Sequence, residues 1–440
     1  MVYFQFKILV SMKKIIENKY FKNSTWLILD KILRMLVGFF ISVLIVRHLG
    51  PSDFGYYSYI IGVVYILYSL AGLGLNDVIV RYLLCGKYPS LNIIIISFVS
   101  RLVFSCLIFF FYIIYRYITQ SNQGYSELLL IAMIVVPMQS FNVADSFFQS
   151  IVKSKYTVVA TLFSFVIVSA LRLYGLENDY PLQYFVYLYV LEYVGSAVFL
   201  TLFFSLKFKN KKISERSNNK LLTFNLLKDA TPLLLSGFVV SLFLKLDQVM
   251  IMKILGEKEL GIYSVAVRIS ELWYFLPIAV ITSLFPSFIK SSQESHLSLI
   301  KVIEKTTSWL VFLAFIVASI VTIFGGLIID VLYGKEYLPS SEVLSVHIWT
   351  SIFIFANIVF SKYFIIINKE KIKFILDFIA LLINIISNIL LIPYFGILGA
   401  AIATLICYPL SYIVLSILFD EVRCTLKIFC KTFSLNFKVN

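Results

Sequence analysis

The sequence predicts an all-α polytopic membrane protein, with twelve transmembrane helices arranged as two six-helix bundles in a parallel repeat. Three observations predict it. The chain of 440 residues is 60% hydrophobic and only 14% charged, whereas soluble domains carry roughly a quarter charged residues. Twelve apolar stretches come close to or exceed the ~20 residues that a bilayer crossing needs. A ten-residue turn recurs where the second set of six stretches begins.

The apolar stretches cover 24–46, 56–84, 91–117, 127–151, 156–174, 182–206, 232–254, 260–288, 306–332, 343–368, 372–392 and 396–419. They divide the chain into a cytoplasmic N-terminal segment (1–23), a first bundle (24–206), a basic cytoplasmic linker (207–231), a second bundle (232–419) and a cytoplasmic tail (420–440). Residues 1–14 lack the charged start, apolar core and small-residue exit of a cleaved signal. Met12, which opens MKKIIENKYFKN, is the expected start.

The net charge of +14 is explained by topology rather than by nucleic acid. Only Arg47, Arg116, Lys253, Lys258 and Lys335 fall in the connections on one side. The lysines of the N-terminus, of 207–228 and of the tail, together with Lys87, Lys153, Lys155, Lys290, Lys301, Lys305, Lys369, Lys371 and Lys373, fall on the other. Cytoplasmic loops carry the Lys and Arg excess, so both termini are expected in the cytoplasm of a multi-pass inner-membrane protein. Five scattered cysteines and three scattered histidines give no disulfide framework and no metal-ligand spacing.

The repeat sits at the joints. Leu49-Gly50-Pro-Ser-Asp-Phe-Gly55-Tyr-Tyr57-Ser58 and Leu255-Gly256-Glu-Lys-Glu-Leu-Gly261-Ile-Tyr263-Ser264 share five of ten residues at an offset of 206. A weaker match pairs Tyr193, Ser196 and Phe204 with Tyr408, Ser411 and Phe419. Six is even, so the two halves share one orientation, as in transporters built of two parallel bundles. The chain is organised around Lys245–Phe275, where an apolar helix bearing Lys245 and Asp247 runs through the second copy of the turn into a helix bearing Arg268 and Glu271.

Charged groups inside apolar helices mark routes or partners. Lys31, Arg34, Arg101, Lys245 and Arg268 lie deep, whereas Arg81, Arg172 and Lys362 lie nearer span ends, where they reach headgroups. Asp30 and Arg34, Asp77 and Arg81, and Arg268 and Glu271 share helix faces, and the plain reading is mutual neutralisation. Lys245 and Asp247, two apart, face different ways, so each needs a partner elsewhere or a wet cavity. Gln139, Asn142, Ser146 and Gln149, with Asp145 beside them, make a polar stripe. Asp377, Asn384 and Asn388 make another. Such stripes serve helix–helix hydrogen bonding or sugar hydroxyls. Pro232, Pro277 and Pro286 are expected to bend their spans.

The segments Asn23–Tyr59, Leu246–Pro277 and PYFGILGAAIATL (Pro393–Leu405) resemble the Wzx-type O-antigen and polysaccharide flippases, the polysaccharide branch of the multidrug/oligosaccharidyl-lipid/polysaccharide exporter superfamily. The resemblance runs from Met12 to the last span, without the two extra spans of the lipid II flippases. It implies a MATE-like fold in which the first, second, seventh and eighth spans line a central cavity. The implied cargo is a polyprenyl-diphosphate-linked oligosaccharide, an O-antigen or capsule repeat unit.

Excess deep cations suit such a diphosphate. Lys31, Arg34, Arg101, Lys245 and Arg268 are therefore the expected substrate-binding groups, and Gln139, Asn142, Asn384 and Asn388 the polar lining. Asp247 first, then Glu271, Glu192 and Asp145, are the expected charge partners or sites for H+ or Na+ as a coupling ion. No other cofactor is expected. Other polysaccharide assembly proteins are expected as partners, and nucleic acid is not. The alternatives are an organic-cation antiporter of the same fold and, from another class, a membrane polysaccharide polymerase or ligase. The short outer loops, with little beyond Glu177, Asp179, Lys335 and Glu336, offer no catalytic constellation.

Overall fold

A computed structural model describes residues 19–118, 124–208 and 219–433 of the chain. The expected start at Met12, most of the N-terminal segment and residues 209–218 lie outside them. The described residues are almost wholly helical: α1 Lys19–Ala71, α2 Leu75–Cys85, α3 Ser90–Ile118, α4 Gly124–Ala132, α5 Val135–Met138, a 3-10 turn Gln139–Asn142, α6 Val143–Ser150, α7 Lys155–Glu177 and α8 Leu182–Phe208. Then come α9 Asn219–Ile254, α10 Glu257–Glu271, a 3-10 turn Leu272–Tyr274, α11 Phe275–Glu294, α12 His296–Tyr333, α13 Ser340–His347, α14 Thr350–Ile366, α15 Glu370–Ser416 and α16 Asp420–Phe433.

Among the described residues ten helical stretches are long and apolar enough to cross a bilayer. Two of them, Leu33–Cys85 and Glu370–Ser416, have 53 and 47 residues, more than twice the ~20 that one crossing uses. Each has a glycine off the helix between two long helical runs: Gly50 (φ 69°, ψ 175°) and Gly396 (φ 58°, ψ −140°). Positive φ is nearly free for glycine and costly for other residues. Counted as double crossings, these two helices accommodate the twelve spans that the sequence predicts.

The chain forms two compact units. One comprises residues up to Leu49 and Val63–Phe238, the other Gly50–Gly62 and Val239–Asn440. This division departs from the expected bundles 24–206 and 232–419 in two ways. First, the basic linker expected at 207–231 is helical from Asn219 onward. Leu222, Leu226 and Ala230 recur every four residues and are buried against Leu73, Val78 and Phe147 of the first unit. An amphipathic stripe of that period makes a helix, and its flanking Lys and Asn masked it as a loop. Second, the first copy of the repeated turn packs within the second unit, against the second copy, because both carry a glycine at the point of backbone contact.

The second unit has a core between α11, α12, α14, α15 and α16, around Phe288, Leu310, Phe355, Phe360 and Phe364. The tail expected at 420–440 contributes to it. In α16, Val422, Thr425 and Ile428 are buried while Arg423, Lys427 and Lys431 are exposed. Pro232 and Pro286 lie inside α9 and α11. Pro277 follows the 3-10 turn that interrupts the run from α10 to α11, where its missing N–H removes the bond that would continue the helix.

Candidate functional site

In the second unit, α9, α10 and α15 bring one carboxylate and its donors together. Asp247 is 5% exposed. Tyr263 donates its hydroxyl to Asp247 Oδ2 at 3.0 Å, Thr404 donates to the same oxygen at 2.7 Å, and Asn388 Nδ2 donates to Oδ1 at 2.7 Å. Asn388 also donates to Asn384 Oδ1 at 3.0 Å, and Asn384 to Thr404 Oγ1 at 3.4 Å. Asn384 and Asn388 are one turn apart on α15 and fully buried. Removing a carboxylate from water is costly unless hydrogen bonds replace the water, and these neutral donors do so.

A cavity of about 20 Å³ opens beside this carboxylate, lined by Asp247, Gln248, Tyr263, Glu271, His347 and Thr404 among others. That is room for about one water-sized particle. Glu271 of its wall meets Lys245, whose Nζ lies 3.8 Å from Glu271 Oε2. His347 Nδ1 lies 2.9 Å from Ser270 Oγ, with both side chains buried. Lys245 and Asp247 thus serve different partners although they are neighbours in sequence. Arg268 lies 5.3 Å over the Phe54 ring, a cation–π contact. Phe54 belongs to the first copy of the repeated turn and Arg268 to the helix that follows the second.

The first unit holds a second buried polar group. Arg101, fully buried, donates to Asn76 Oδ1 at 2.9 Å, and its Nε and Nη1 have no hydrogen-bond partner. Asn142 donates to the Tyr68 hydroxyl at 2.6 Å and to Gln139 Oε1 at 2.5 Å. These three-apart residues meet because the backbone there is 3-10, which eclipses i and i+3. Gln149 donates to Asp145 Oδ2 at 2.8 Å.

Several expected pairings are replaced by others. Arg81 reaches Asp229, not Asp77, at 2.6 Å, and the Tyr82 hydroxyl joins the same oxygen at 2.9 Å. Arg172 pairs with Glu192 at 2.8 Å, which makes Glu192 the partner of a cation on the neighbouring helix. Lys362 lies over the Phe285 ring at 5.5 Å, and Asp377 pairs with Lys373 one turn away. The pair of Asp30 and Arg34 is present at 2.5 Å. The side chain of Lys31 lies outside the described residues.

The residues that sequence reasoning missed are Thr404, Tyr263, His347, Asn76 and Tyr68. Two of them carried a signal. Tyr263 is an identical position of the repeated turn, and Thr404 belongs to the Pro393–Leu405 segment. Among the described residues no group of three or more His, Cys, Asp and Glu could hold a metal ion.

Residues 20–292 match the family model described as polysaccharide biosynthesis protein, and residues 232–390 match the MatE model. The chain is 22% identical over 404 residues to the capsular polysaccharide biosynthesis protein CapF of Staphylococcus aureus, covering 87% of this chain and 94% of that one. Its fold is similar to that of the lipid II flippase MurJ in an inward closed conformation, with a TM-score of 0.71, 17% identity, and 92% and 91% of the two chains covered. It is equally similar to an inward-facing multidrug resistance MATE transporter, with a TM-score of 0.71, 13% identity, and 91% and 96% covered. The match over 20–292 spans more than half of the chain: the chain belongs to the polysaccharide biosynthesis protein family, the polysaccharide flippase branch of the exporter superfamily, and has a MATE-like all-α fold.

Proposed function

We propose that this protein flips a polyprenyl-diphosphate-linked oligosaccharide, an O-antigen or capsule repeat unit, from the cytoplasmic to the outer leaflet of a bacterial inner membrane. Both termini lie in the cytoplasm. The route is alternating access of two bundles, and other polysaccharide assembly proteins supply and consume the cargo. The observation that carries the reading is the Asp247 cluster, a buried carboxylate on a membrane-spanning helix, bonded to neutral donors beside a cavity for one small particle. A membrane protein keeps such a group for a functional reason.

Asp247 is the place where H+ or Na+ acts on the return stroke. A cation bound there is held by Asp247 with the hydroxyl oxygens of Thr404 and Tyr263. Arg101, hydrogen-bonded to the neutral Asn76, keeps its charge to offer a diphosphate, and Arg268 stands over the Phe54 ring. Lys245 is shared with Glu271 and Arg34 with Asp30, so these two lose part of theirs.

The second reading is an organic-cation antiporter. The MatE match over 232–390 favours it. One experiment separates them: flipping of a polyprenyl-diphosphate oligosaccharide in proteoliposomes, with native protein, Lys245→Ala, Arg268→Ala and Asp247→Asn. Flipping by native protein that falls in the cation variants at normal expression supports the flippase with a diphosphate site. No flipping, with uptake of cationic dyes instead, overturns it.

A further inference from the structure

A groove runs along the outside of the second unit between α11 and α12, remote in sequence from Asp247 and its donors. It encloses about 680 Å³ and its walls are apolar: Val280 and Leu284 from α11, and Val302, Trp309, Phe312 and Ile316 from α12. Trp309 is 60% exposed and Phe312 47%, which would be costly in water and is ordinary against lipid tails. One end differs. Lys301 and Lys305 line it, one helical turn apart and both exposed.

The carboxylates nearest in sequence are engaged. Glu304 meets Lys431 of α16 at 3.6 Å, and Glu294 accepts the Ser298 hydroxyl at 3.1 Å. Among the described residues neither Lys301 nor Lys305 makes an ion pair or hydrogen bond. The contact with Glu304 brings Lys431 of α16 to this end of α12.

We propose that this groove is a binding site for one anionic phospholipid, its phosphate held by Lys301 and Lys305 and one acyl chain laid along α12 toward Ile316. Length selects the occupant. From Lys301 to Ile316 the helix rises about 22 Å, which is about half of a bilayer of ~40–45 Å including its headgroups. A groove one leaflet deep with its charge at one end fits a phospholipid; a polyprenyl tail is longer than a leaflet. The aromatic ring of Trp309 lies about 12 Å below Lys301, at acyl-chain depth. Each surface lysine attracts anionic lipid by about 1 kcal/mol, so two separate an anionic from a zwitterionic headgroup by on the order of tenfold or more.

The test is native mass spectrometry of the full-length protein titrated with phosphatidylglycerol or phosphatidylcholine. The expected result is one retained phosphatidylglycerol, bound at least about tenfold more tightly than phosphatidylcholine. That preference disappears in Lys301→Gln/Lys305→Gln. A second variant, Leu284→Trp, fills the groove and leaves the charges; it loses retention of the lipid at unchanged thermal stability. Equal retention by the double lysine variant overturns the site. So does displacement by inorganic phosphate, which would show an anion site without a groove, or by a polyprenyl phosphate at lower concentration than phosphatidylglycerol, which would assign the groove to the cargo.

Discussion

Gly55 and Gly261, 206 residues apart, each receive the other's turn. A Cβ on Gly55 would stand 1.8 Å from the carbonyl oxygen of Glu257, and a Cβ on Gly261 would stand 1.9 Å from that of Pro51. Pro51 and Glu257 are themselves at the repeat offset. The contact is therefore symmetric, and the two halves of the sequence meet backbone to backbone at equivalent positions. Gly55→Ala and Gly261→Ala are each expected to destabilise the protein by at least the ~1–3 kcal/mol of an overpacked core, because a carbonyl cannot rotate away as a side chain can. Gly237 and Gly326 have nothing within 4 Å of the same position. Alanine there is expected to be neutral or to stabilise by up to about 1 kcal/mol. Thermal unfolding of the detergent-solubilised variants reads both.

The donors around Asp247 separate binding from packing. Thr404→Val and Tyr263→Phe each remove one hydrogen bond to the carboxylate, with an expected loss of about 0.6–1.7 kcal/mol in a membrane protein. Asp247→Asn keeps the volume and is expected to fold. Its signature is transport that no longer responds to an imposed proton or sodium gradient. A variant that still responds would move the coupling site elsewhere.

Lys245 and Glu271 are partly exposed, at 19% and 29%, and 3.8 Å apart. Their coupling energy in a double-mutant cycle is expected to be below about 1 kcal/mol. Loss of transport in Lys245→Ala that is not restored in Lys245→Ala/Glu271→Ala would assign Lys245 to the cargo, because simple neutralisation predicts recovery in the double variant.

Outside the membrane, Glu421 at the start of α16 is held below the usual carboxylate range, first by its backbone N–H and then by Lys369 at 3.0 Å. A depressed folded value means that this contribution is complete above the unfolded glutamate value of ~4.3. It is lost as the pH falls through the folded value. Protection of α16 against hydrogen exchange is therefore expected to be flat from neutral pH to about pH 5 and to drop below about pH 4. In Glu421→Gln that drop should vanish.

The architecture was legible because it rests on composition and period. Apolar runs, the glycine pair and the lysine distribution are local facts, and bilayer physics converts them into spans. Pairings were less legible. Arg81 shares a face with Asp77 yet finds Asp229, 148 residues away, and Glu271 shares a face with Arg268 yet meets Lys245. Helical period tells which side a residue is on, and the neighbour on that side is decided by packing. The amphipathic helix α16 has the pattern of a tail in sequence because five of its 14 residues are charged. Its buried set, Val422, Thr425 and Ile428, contains a polar residue that the period alone discounts. The polar face of α15 and the deep Asp247 of α9 were visible, but that Thr404 and Asn388 would share the two oxygens of Asp247 was not.

The chain passes from one crossing to the next through Gly50 and through Gly396 with a single residue off the helix. Nothing at these joints can absorb a change of length. A helix advances about 100° per residue, so one inserted residue after Gly396 would rotate the face that carries Thr404, eight positions on, by over a quarter turn and point its hydroxyl away from Asp247. The joints therefore keep register as well as direction: an insertion after Gly396 would disconnect the carboxylate from Thr404 without altering any residue of the cluster.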